Sequence, residues 1–522
     1  MAGQLALLLH AHLPFVRHPE HEEFFEESWL FEAITETYIP LIRMMQRLVA
    51  DRVPFKLAMS ITPTLCAMLQ DESLREKYVE HLARSIALAE REIDRNRDEP
   101  ALLKLANFYC DLLVETRENF AKWNRDLLAV LRELRDAGAL EIVACAATHG
   151  LLPLLRSREA IRAQVLIGCD VYRETFGADP IGFWLPECAY TPGIEDILAE
   201  ANIRWFVLDA HGLLLAKPRP RAAIFAPCFT PAGPAAFARD PVSSREVWSA
   251  ESGYPGDPAY RDFYRDVGFD LPSTHAFAHS RDKTPRFTGL KYHRITGRDV
   301  PKEIYDRPRA DEVANAHAQQ FFESRQSQLR ELATLMEDPI ITIPFDAELF
   351  GHWWFEGTSF LESLIRKVAD AQNELRFTTP TDYLVAHQRL EVVTPAASSW
   401  GENGYWEVWL QKANAWIYPP LHSAARRMIE VARAYSKNTA PQIDRALRQL
   451  ARELLLAQSS DWAFLMKTGT ARDYAAGRVE DHIARFDKLD AQIRSGEIDE
   501  AFLSECESRD NLFPNLKWQH YQ

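Results

Sequence analysis

The chain has 522 residues, which is long enough for a large folded core with an insertion or a second domain. Hydrophobic residues make up 47% of it and charged residues 26%, and the formal net charge is −15 with no block of basic residues. Because an acidic surface repels phosphate backbones and anionic lipids, the charge argues against binding to nucleic acids or membranes. The 13 Trp, 16 Tyr and 28 Phe exceed the needs of a core and indicate exposed rings.

The cysteines and the N-terminus point to a cytoplasmic protein. The seven cysteines are scattered without CxxC spacing, which predicts reduced and mostly buried thiols rather than disulfides or a cysteine zinc site. The first apolar run spans six residues without a basic start, so it is interpreted as a strand and not a signal peptide. No apolar stretch approaches the length of a membrane span.

Along the chain, seven short apolar runs each end in polar residues, and we interpret them as strands. In order they are QLALLLHAH, FKLAMSITP, LEIVACAATHG, PIGFWLPE, RWFVLDAHG, the weaker GPAAFARD and PIITIPFDAE. Segments with helical periodicity, such as EDILAEAN and FLESLIRKVADAQ, lie between most of them. This alternation predicts an α/β protein with a parallel sheet, either a β/α barrel or an open doubly wound sheet. The absence of GxGxxG and GxxxxGK argues against a nucleotide cofactor.

Two regions depart from the alternation, and they set the predicted domains. Residues 67–137 contain the amphipathic stretches ESLREKYVEHLARSIALAEREI and FAKWNRDLLAVLRELRDAG, which predict a helical insertion. The Pro- and Gly-rich segment of about 225–300 predicts a long functional loop. From about residue 400 the pattern is mainly helical. We therefore predict a catalytic domain of residues 1–66 and 138–395, the insertion at 67–137, and a C-terminal helical domain at 396–522.

Two carboxylates at predicted strand ends are the first candidates for chemistry. Glu187 follows Pro186 in GFWLPE, and Asp346 begins the stretch DAELFGHWW. Each has an ordinary alternative, because Glu187 could face water and Asp346 could cap a helix. In a barrel, however, strand ends border one central mouth. Two carboxylates there can divide labour, one ionised and one protonated, which is the arrangement that hydrolyses glycosidic bonds.

Histidines form the second group of candidates. His10 and His12 lie on one face of the first strand, and His149 ends the third. They could bind a metal such as zinc, donate hydrogen bonds to substrate hydroxyls, or serve a structural role. The sequence alone leaves these alternatives open.

Aromatic residues form the third group. SSWGENGYWEVW carries Trp400 and Trp409 in a setting of Gly, Asn and Ser that is hard to bury as a core helix. We interpret these rings as the lining of a groove, with Trp353 after the last strand and Trp462 in SSDWAF as further members.

Several stretches together resemble glycoside hydrolase family 57, and most closely its 1,4-α-glucan branching enzymes. They are HAHLPFVRHPE, EESWLFEAITETYIPL, ATHG, GFWLPE, FDAELFGHWW and SWGENGYWEVWL, spread over nearly the whole chain. The resemblance implies a (β/α)7 barrel with a helical insertion and a C-terminal helical domain. It also implies a retaining mechanism that acts on α-1,4-glucans such as amylose, glycogen and starch, in glycogen synthesis, without a metal or another cofactor.

The resemblance assigns roles to individual residues. Glu187 matches the family's nucleophile and Asp346 its acid/base. His10, His12 and His149 match positions that line the sugar site at the point of cleavage, and Asp461 matches a late contribution to the same cleft. The remaining predicted substrate-binding residues are Trp29, Asp209, Arg239, Phe269, His352, Trp353, Trp400, Trp409 and Trp462.

Two departures from the family pattern keep the activity open. Branching members carry a tyrosine on a flexible loop over the cleft, but residues 227–253 contain none, and Tyr254, Tyr260 and Tyr264 are the nearest. Phe269 stands where relatives carry Trp. An α-amylase-like hydrolase or a 4-α-glucanotransferase is therefore the main alternative to a branching enzyme. A zinc-dependent carbohydrate deacetylase and a non-catalytic glucan-binding protein are rivals from other classes.

Overall fold

A parallel β-barrel forms the centre of the molecule. The computed structural model describes residues 3–249, 253–276, 285–297, 300–371, 374–435 and 439–522. Its strands are β1 (Gly3–Ala11), β2 (Leu57–Ile61), β3 (Leu140–Cys145), β4 (Gly182–Trp184), β5 (Trp205–Leu208), β6 (Cys228–Phe229), β7 (Ala235–Ala238), β8 (Ile340–Asp346) and β9 (Leu375–Phe377). All seven predicted strands are present, and only the short β6 and β9 were not anticipated.

Seven of these strands form the barrel wall. They pair in parallel in the order β7-β5-β4-β3-β2-β1-β8. A parallel bridge between Arg239 and Thr342 joins the two ends, and the Asp240 N–H donates to the Thr342 carbonyl at 2.9 Å. The predicted (β/α)7 barrel with C-terminal helices is thus confirmed. Because all seven strands run the same way, their carboxyl ends open at one mouth.

In the described part of the chain up to residue 386, fifteen α-helices accompany the barrel. They are α1 (Glu27–Ala33), α2 (Ile39–Ala50), α3 (Pro63–Gln70), α4 (Glu72–Arg95), α5 (Pro100–Lys122), α6 (Leu127–Asp136), α7 (Arg158–Phe176), α8 (Ile194–Glu200), α9 (Ala210–Leu214), α10 (Pro241–Trp248), α11 (Val267–Asp270), α12 (Ser273–Ala276), α13 (Arg307–Leu332), α14 (Gly357–Asp370) and α15 (Pro380–Ala386). A π-helical turn, Ile34–Tyr38, joins α1 to α2.

The region predicted as an insertion is helical, but its second helix differs from the prediction. Helices α4, α5 and α6 lie between β2 and β3. The stretch FAKWNRDLLAVLRELRDAG does not form one helix, because α5 ends at Lys122 and α6 begins at Leu127. Asp126 caps α6 by accepting a hydrogen bond from the Ala129 N–H at 3.0 Å. The domain bounds at 66/67 and 137/138 stay predictions.

The described residues after 386 form five further α-helices. They are α16 (Tyr418–Ala434), α17 (Pro441–Ala457), α18 (Ser460–Thr468), α19 (Arg472–Ser495) and α20 (Glu500–Arg509). A hydrophobic cluster that includes Leu151 and Ala189 of the barrel loops and Trp409 and Trp462 of the C-terminal part packs these helices against the barrel mouth. The predicted boundary at 395/396 is likewise untested.

The cysteines are mostly buried, as the sequence predicted. All seven cysteines are free thiols and all but Cys110 are buried. Among the described residues, every helix is too short or too polar to cross a membrane.

Candidate active site

Glu187 occupies a strained turn directly after β4. The 3₁₀ turn Pro186–Cys188 places Glu187 at φ +61° and Cys188 at φ +49°, the left-handed region that side chains other than glycine rarely adopt. Such strain costs about 1–3 kcal/mol and persists where the surroundings enforce it. Here the Trp400 indole N–H donates to Glu187 Oε2 at 2.6 Å, and the Trp400 backbone N–H donates to the Glu187 carbonyl at 3.1 Å.

The environment of Glu187 raises its pKa. Burial is the largest cause, and the negative charges of Asp346 and Asp461 add to it. The hydrogen bond from Trp400 and the proximity of His12 act in the opposite direction, and the resulting pKa is about 8. This carboxyl therefore titrates far above the usual range of a glutamate.

Asp346 is the last residue of β8 and lies opposite His10 of β1 in the strand register. Burial raises its pKa to about 8, with a further contribution from the charge of Glu348, while His12 and Arg239 lower it. Among the described residues none donates a hydrogen bond to its carboxylate. Asp346 thus differs from Glu187, whose carboxylate has the indole donor.

Both carboxylates line one open cavity of about 560 Å³. Arg239, Trp400 and Trp409, which were predicted from the sequence, line the same cavity. A cavity of this volume is large enough for a small ligand or a segment of a longer one.

Three histidines predicted for the site lie together beside Glu187. The His10 and His149 Nε2 atoms are 3.0 Å apart and share a hydrogen bond, while the rings of His12 and His149 stack at 3.8 Å. His149 Nδ1 is 2.9 Å from Ser460 Oγ and 3.9 Å from Glu187 Oε1. Burial lowers the pKa of His10 and of His149 well below the usual range, so both rings are neutral near pH 7.

Asp461 from helix α18 completes this histidine group. Both of its carboxylate oxygens are 3.0 Å from His12 Nε2, and His12 Nδ1 is 3.1 Å from Thr62 Oγ1. Burial acts to raise the pKa of Asp461, but His12, His149 and the Ser459 hydroxyl lower it to about 2. The carboxylate is therefore ionised, and it orients the His12 ring.

His12, His149 and Asp461 are also close enough to hold a metal ion, since their ligand atoms lie within 4.8 Å of one another. Each of the three already has a hydrogen-bonding partner in the site. The group is therefore satisfied by its own hydrogen bonds. A second such group, Glu453, His482 and Asp510, is likewise occupied, because the Arg485 guanidinium lies 2.8 Å from Asp510 and 3.4 Å from Glu453.

Asp209 and Arg239 form an ion pair next to the cavity. Asp209 follows β5, Arg239 follows β7, and Arg239 Nη2 lies 2.7 Å from Asp209 Oδ2. The guanidinium also sits 5.8 Å from the centre of the Trp400 ring, within the range of a cation–π contact. The pair therefore links two strand ends to the tryptophan that binds Glu187.

Four of the predicted substrate-binding residues lie apart from the residues that line this cavity. His352 Nδ1 binds Glu36 Oε2 at 2.7 Å, and Trp353 stacks on Phe263 at 4.5 Å. Phe269 packs on Phe287 and Trp29 on Tyr474. Their predicted substrate contacts stay predictions that the cavity itself does not support.

The tryptophans at the C-terminal side differ in exposure. Trp400 is partly accessible, whereas Trp409 touches the cavity but is almost fully buried. Trp462 is completely buried, and its indole N–H donates to the Leu456 carbonyl at 2.7 Å. The predicted exposure is therefore wrong for Trp409 and Trp462, because both belong to the cluster that packs the C-terminal part on the barrel. Trp409 still lines the cavity, as predicted, whereas Trp462 is not among its lining residues.

The three tyrosines nearest to residues 227–253, the segment without the loop tyrosine of branching enzymes, do not reach the cavity. Tyr254 and Tyr260 are buried around His317, and the Tyr260 hydroxyl is 2.7 Å from His317 Nδ1. Tyr264 is 75% exposed and packs edge-on against Phe263. Among the described residues, no tyrosine lines the cavity that holds Glu187 and Asp346.

Sequence reasoning missed residues that the fold brings to the site. Trp248 and Arg245 of α10 and Phe464 of α18 line the cavity. The signal for α10 was present, since Asp240 followed by Pro241 is a typical helix start, but it lay in a segment interpreted as loop. Phe464 follows Asp461 by three residues, the spacing that places two side chains on one side of a helix.

Tyr38 and Glu348 form a further pair beside Asp346. The Tyr38 hydroxyl donates to Glu348 Oε1 at 2.5 Å, and the His12 N–H donates to the same oxygen at 3.1 Å. Burial raises the pKa of Glu348 to about 7. Tyr38 was not singled out from the sequence, although it lies within EESWLFEAITETYIPL, one of the stretches that carry the family resemblance.

A parallel barrel with paired carboxylates in a tryptophan-lined cavity is typical of enzymes that act on carbohydrates. Comparison with known proteins agrees. Residues 6–270 match the model of Glycosyl hydrolase family 57, and residues 420–521 match that of the 1,4-alpha-glucan branching enzyme C-terminal region.

Individual relatives match nearly the whole of this chain. A 1,4-alpha-glucan branching enzyme of Thermococcus kodakarensis is 34% identical, and the match covers 98% of this chain and 78% of that one. The alpha-amylase AmyC of Thermotoga maritima is 42% identical with a TM-score of 0.93, over 100% and 99% of the two chains. The branching enzyme of Pyrococcus horikoshii is 33% identical with a TM-score of 0.89, over 100% and 97%.

These matches make the chain a member of glycosyl hydrolase family 57, as its motifs predicted. The names branching enzyme and alpha-amylase describe these relatives and do not by themselves assign an activity to this chain.

Proposed function

We propose that this protein is a retaining 1,4-α-glucan branching enzyme, which cuts an α-1,4-glucosidic bond and transfers the chain to a 6-hydroxyl. The observation that carries this is the placement of Glu187 and Asp346 in one cavity with Trp400. Membership of family 57 and the match of residues 420–521 to the branching enzyme C-terminal region support the choice of activity.

Hydrogen bonding divides the roles of the two carboxyl groups. The Trp400 indole N–H donates to Glu187 and so favours its ionised form, which a nucleophile needs. Asp346 has no such donor among the described residues, and its buried position favours the protonated form, which a general acid needs. We therefore assign Glu187 as nucleophile and Asp346 as acid/base.

The reaction then runs in two steps. A Glu187 oxygen attacks C1 of an α-1,4-linked glucose, the bond from C1 to the leaving oxygen breaks, and the Asp346 proton passes to that oxygen. The product is a glucosyl ester of Glu187. In the second step a 6-hydroxyl of another chain attacks C1, the ester bond breaks, and the hydroxyl proton passes to Asp346. His10, His12 and His149 are expected to contact hydroxyls of the sugar at the point of cleavage.

Hydrolysis is the second candidate, and specific observations favour it. If water replaces the 6-hydroxyl in the second step, the same residues yield an α-amylase-like hydrolase. No tyrosine of the described residues lines the cavity, and the similar Thermotoga maritima protein is named an alpha-amylase. A cytoplasmic location stays a prediction for either activity.

Incubation with amylose separates the two candidates. Proton NMR of the products counts α-1,6 linkages against new reducing ends. A branching enzyme gives new α-1,6 signals with few reducing ends. Reducing ends without α-1,6 signals would reject branching and keep the glycosidase, and a product of inverted anomeric configuration would reject the nucleophilic role of Glu187.

A further inference from the structure

Helix α10 carries an aromatic ring to the active-site cavity at a place that the mechanism above does not use. Trp248 is the last residue of this helix, is 38% exposed and lines the cavity that contains Asp346. Its ring meets that of Trp400 edge-on at 6.4 Å. Since Trp400 binds Glu187, Trp248 stands one ring away from the proposed nucleophile.

The base of α10 is held firmly by buried polar contacts. Asp240 caps the helix by accepting from the Ser243 N–H at 2.8 Å. The buried guanidinium of Arg325, on α13, donates to the Ser243 hydroxyl and lies 3.3 Å from Glu246 and 3.6 Å from Asp240. Because the start and the middle of the helix are anchored, Trp248 is presented from a fixed element.

The helix is attached to the strand that carries the acid/base. The Asp240 N–H donates to the carbonyl of Thr342 at 2.9 Å, and Thr342 precedes Asp346 by four residues on β8. In a double displacement the leaving chain departs on the side of the acid/base, and the acceptor enters on that side. Trp248 and Asp346 line the same cavity, so a glucan that arrives as acceptor at Asp346 can contact the Trp248 ring.

We propose that Trp248 is the platform on which the acceptor glucan stacks, and that it sets the share of the glucosyl ester transferred to a sugar hydroxyl rather than to water. This inference rests on the proposed double displacement. An indole ring suits the flat apolar face of a glucose unit and excludes water from the same space. In the supported step the acceptor oxygen bonds to C1, the bond from C1 to Glu187 breaks, and the acceptor proton moves to Asp346.

The test measures acceptor use directly in the full-length enzyme. The donor is α-maltotriosyl fluoride, because fluoride leaves without a sugar on the acceptor side, and the acceptor is maltopentaose. Transfer products and free maltotriose are quantified over a range of maltopentaose concentrations. For Trp248→Ala we expect the half-saturating acceptor concentration to rise about fivefold to tenfold, the effect of one lost stacking contact. Trp248→Phe keeps a ring and restores most of the affinity.

Tyr264→Ala is the matched control, since it removes an exposed aromatic ring outside the cavity. It is expected to leave acceptor saturation and fluoride release unchanged. An unchanged half-saturating concentration in Trp248→Ala would overturn the platform. Products that contain only α-1,4 linkages would reject branching, but the effect of Trp248→Ala on acceptor saturation could still be measured. A wild-type enzyme that transfers to no acceptor would reject both branching and the acceptor platform.

Discussion

At the scale of single residues, two carboxyl groups with similar pKa values differ in their hydrogen bonds. Glu187 accepts the Trp400 indole N–H at 2.6 Å, while Asp346 is without a donor among the described residues. Burial raises the pKa of each to about 8. The Trp400 donor favours the ionised form of Glu187, whereas Asp346 has no donor in the described part of the chain to favour its ionised form, which is the division of roles that double displacement requires.

Substitution of Glu187 or Asp346 removes one of the two carboxyl groups that the proposed reaction needs. We expect Glu187→Gln and Asp346→Asn each to lower kcat on amylose by about 10²–10⁴-fold, because neither amide can attack C1 or exchange a proton. Calorimetric titration with maltoheptaose is expected to show that glucan binding survives. Glu337→Gln, at an exposed position before β8, serves as the control. Near-normal turnover in either active-site variant would contradict the assignment.

The alkaline side of the pH profile depends on Asp346. Since Asp346 must hold a proton to act as an acid, kcat/KM is expected to fall as the pH rises through its pKa of about 8. Burial and then the charge of Glu348 raise this pKa, and His12 and Arg239 lower it. Glu348→Gln removes the negative charge, so the pKa of Asp346 falls and the alkaline limb moves to lower pH by about 0.5–1 unit.

The Glu348 variant keeps an oxygen that accepts from the Tyr38 hydroxyl and the His12 N–H, so its effect isolates the charge. A stopped assay from pH 5 to 10 measures the shift. An alkaline limb that stays in place in Glu348→Gln would show that Glu348 has no electrostatic effect on Asp346.

At the scale of elements, the π-helical turn Ile34–Tyr38 fixes the loop after β8. Tyr38 binds Glu348, and Glu36 binds His352 at 2.7 Å and Arg261 at 3.0 Å. π-helical turns are frequent at functional sites, where the extra residue re-aims neighbouring side chains. Here two side chains of one turn hold both ends of the stretch from Glu348 to His352.

The π-helical turn packs so closely against the loop after β8 that Gly351 has no room for a side chain. Its φ is +120°, and a Cβ there would lie 1.8 Å from the Glu36 carbonyl oxygen. We expect Gly351→Ala to destabilise the protein by about 2–4 kcal/mol and to reduce activity. Gly477→Ala on α19, where nothing lies within 4 Å, is the control and is expected to leave the Tm unchanged or raise it. Equal melting temperatures in the two variants would refute this packing argument.

At the scale of the whole molecule, the C-terminal part completes the active site. Asp461 on α18 binds His12, which follows β1, and Trp400 binds Glu187 in the turn after β4. The cluster around Trp462 joins the barrel loops to α18, which carries Asp461, and Trp400 packs against the same cluster. The arrangement of His12 and Glu187 in the candidate site therefore depends on contacts with residues of the C-terminal part.

Asp461→Asn tests this dependence. The variant removes the charge that orients His12, and a misplaced ring next to Glu187 is expected to lower kcat/KM about 10–100-fold. Circular dichroism and the Tm are expected to show that the fold is retained. Asp481→Asn, an exposed carboxylate on α19, is the control. An Asp461→Asn enzyme with full activity would mean that the C-terminal helices do not act on the site through His12.

The barrel and its two main carboxylates were predictable for a physical reason. A strand buried on both faces needs a continuous apolar run, so each of the seven strands is visible in the sequence, and parallel strands bring their polar ends to one mouth. Glu187, Asp346, His10, His12 and His149 were found in this way. Helix α10 was not found, because eight residues carry too little periodicity to stand out between prolines and glycines.

The sequence by itself determined the seven strands and the polar residues at their ends, because local patterns of apolar and polar side chains specify elements and their termini. Its motifs identified the family, and the resemblance to that family implied the closed seven-stranded barrel. Only the tertiary structure decided which distant residues meet there. It brings Trp248 and Phe464 to the cavity, buries Trp409 and Trp462, and pairs His352 with Glu36. Such contacts depend on how whole helices pack against the barrel, and no short stretch of sequence records that packing.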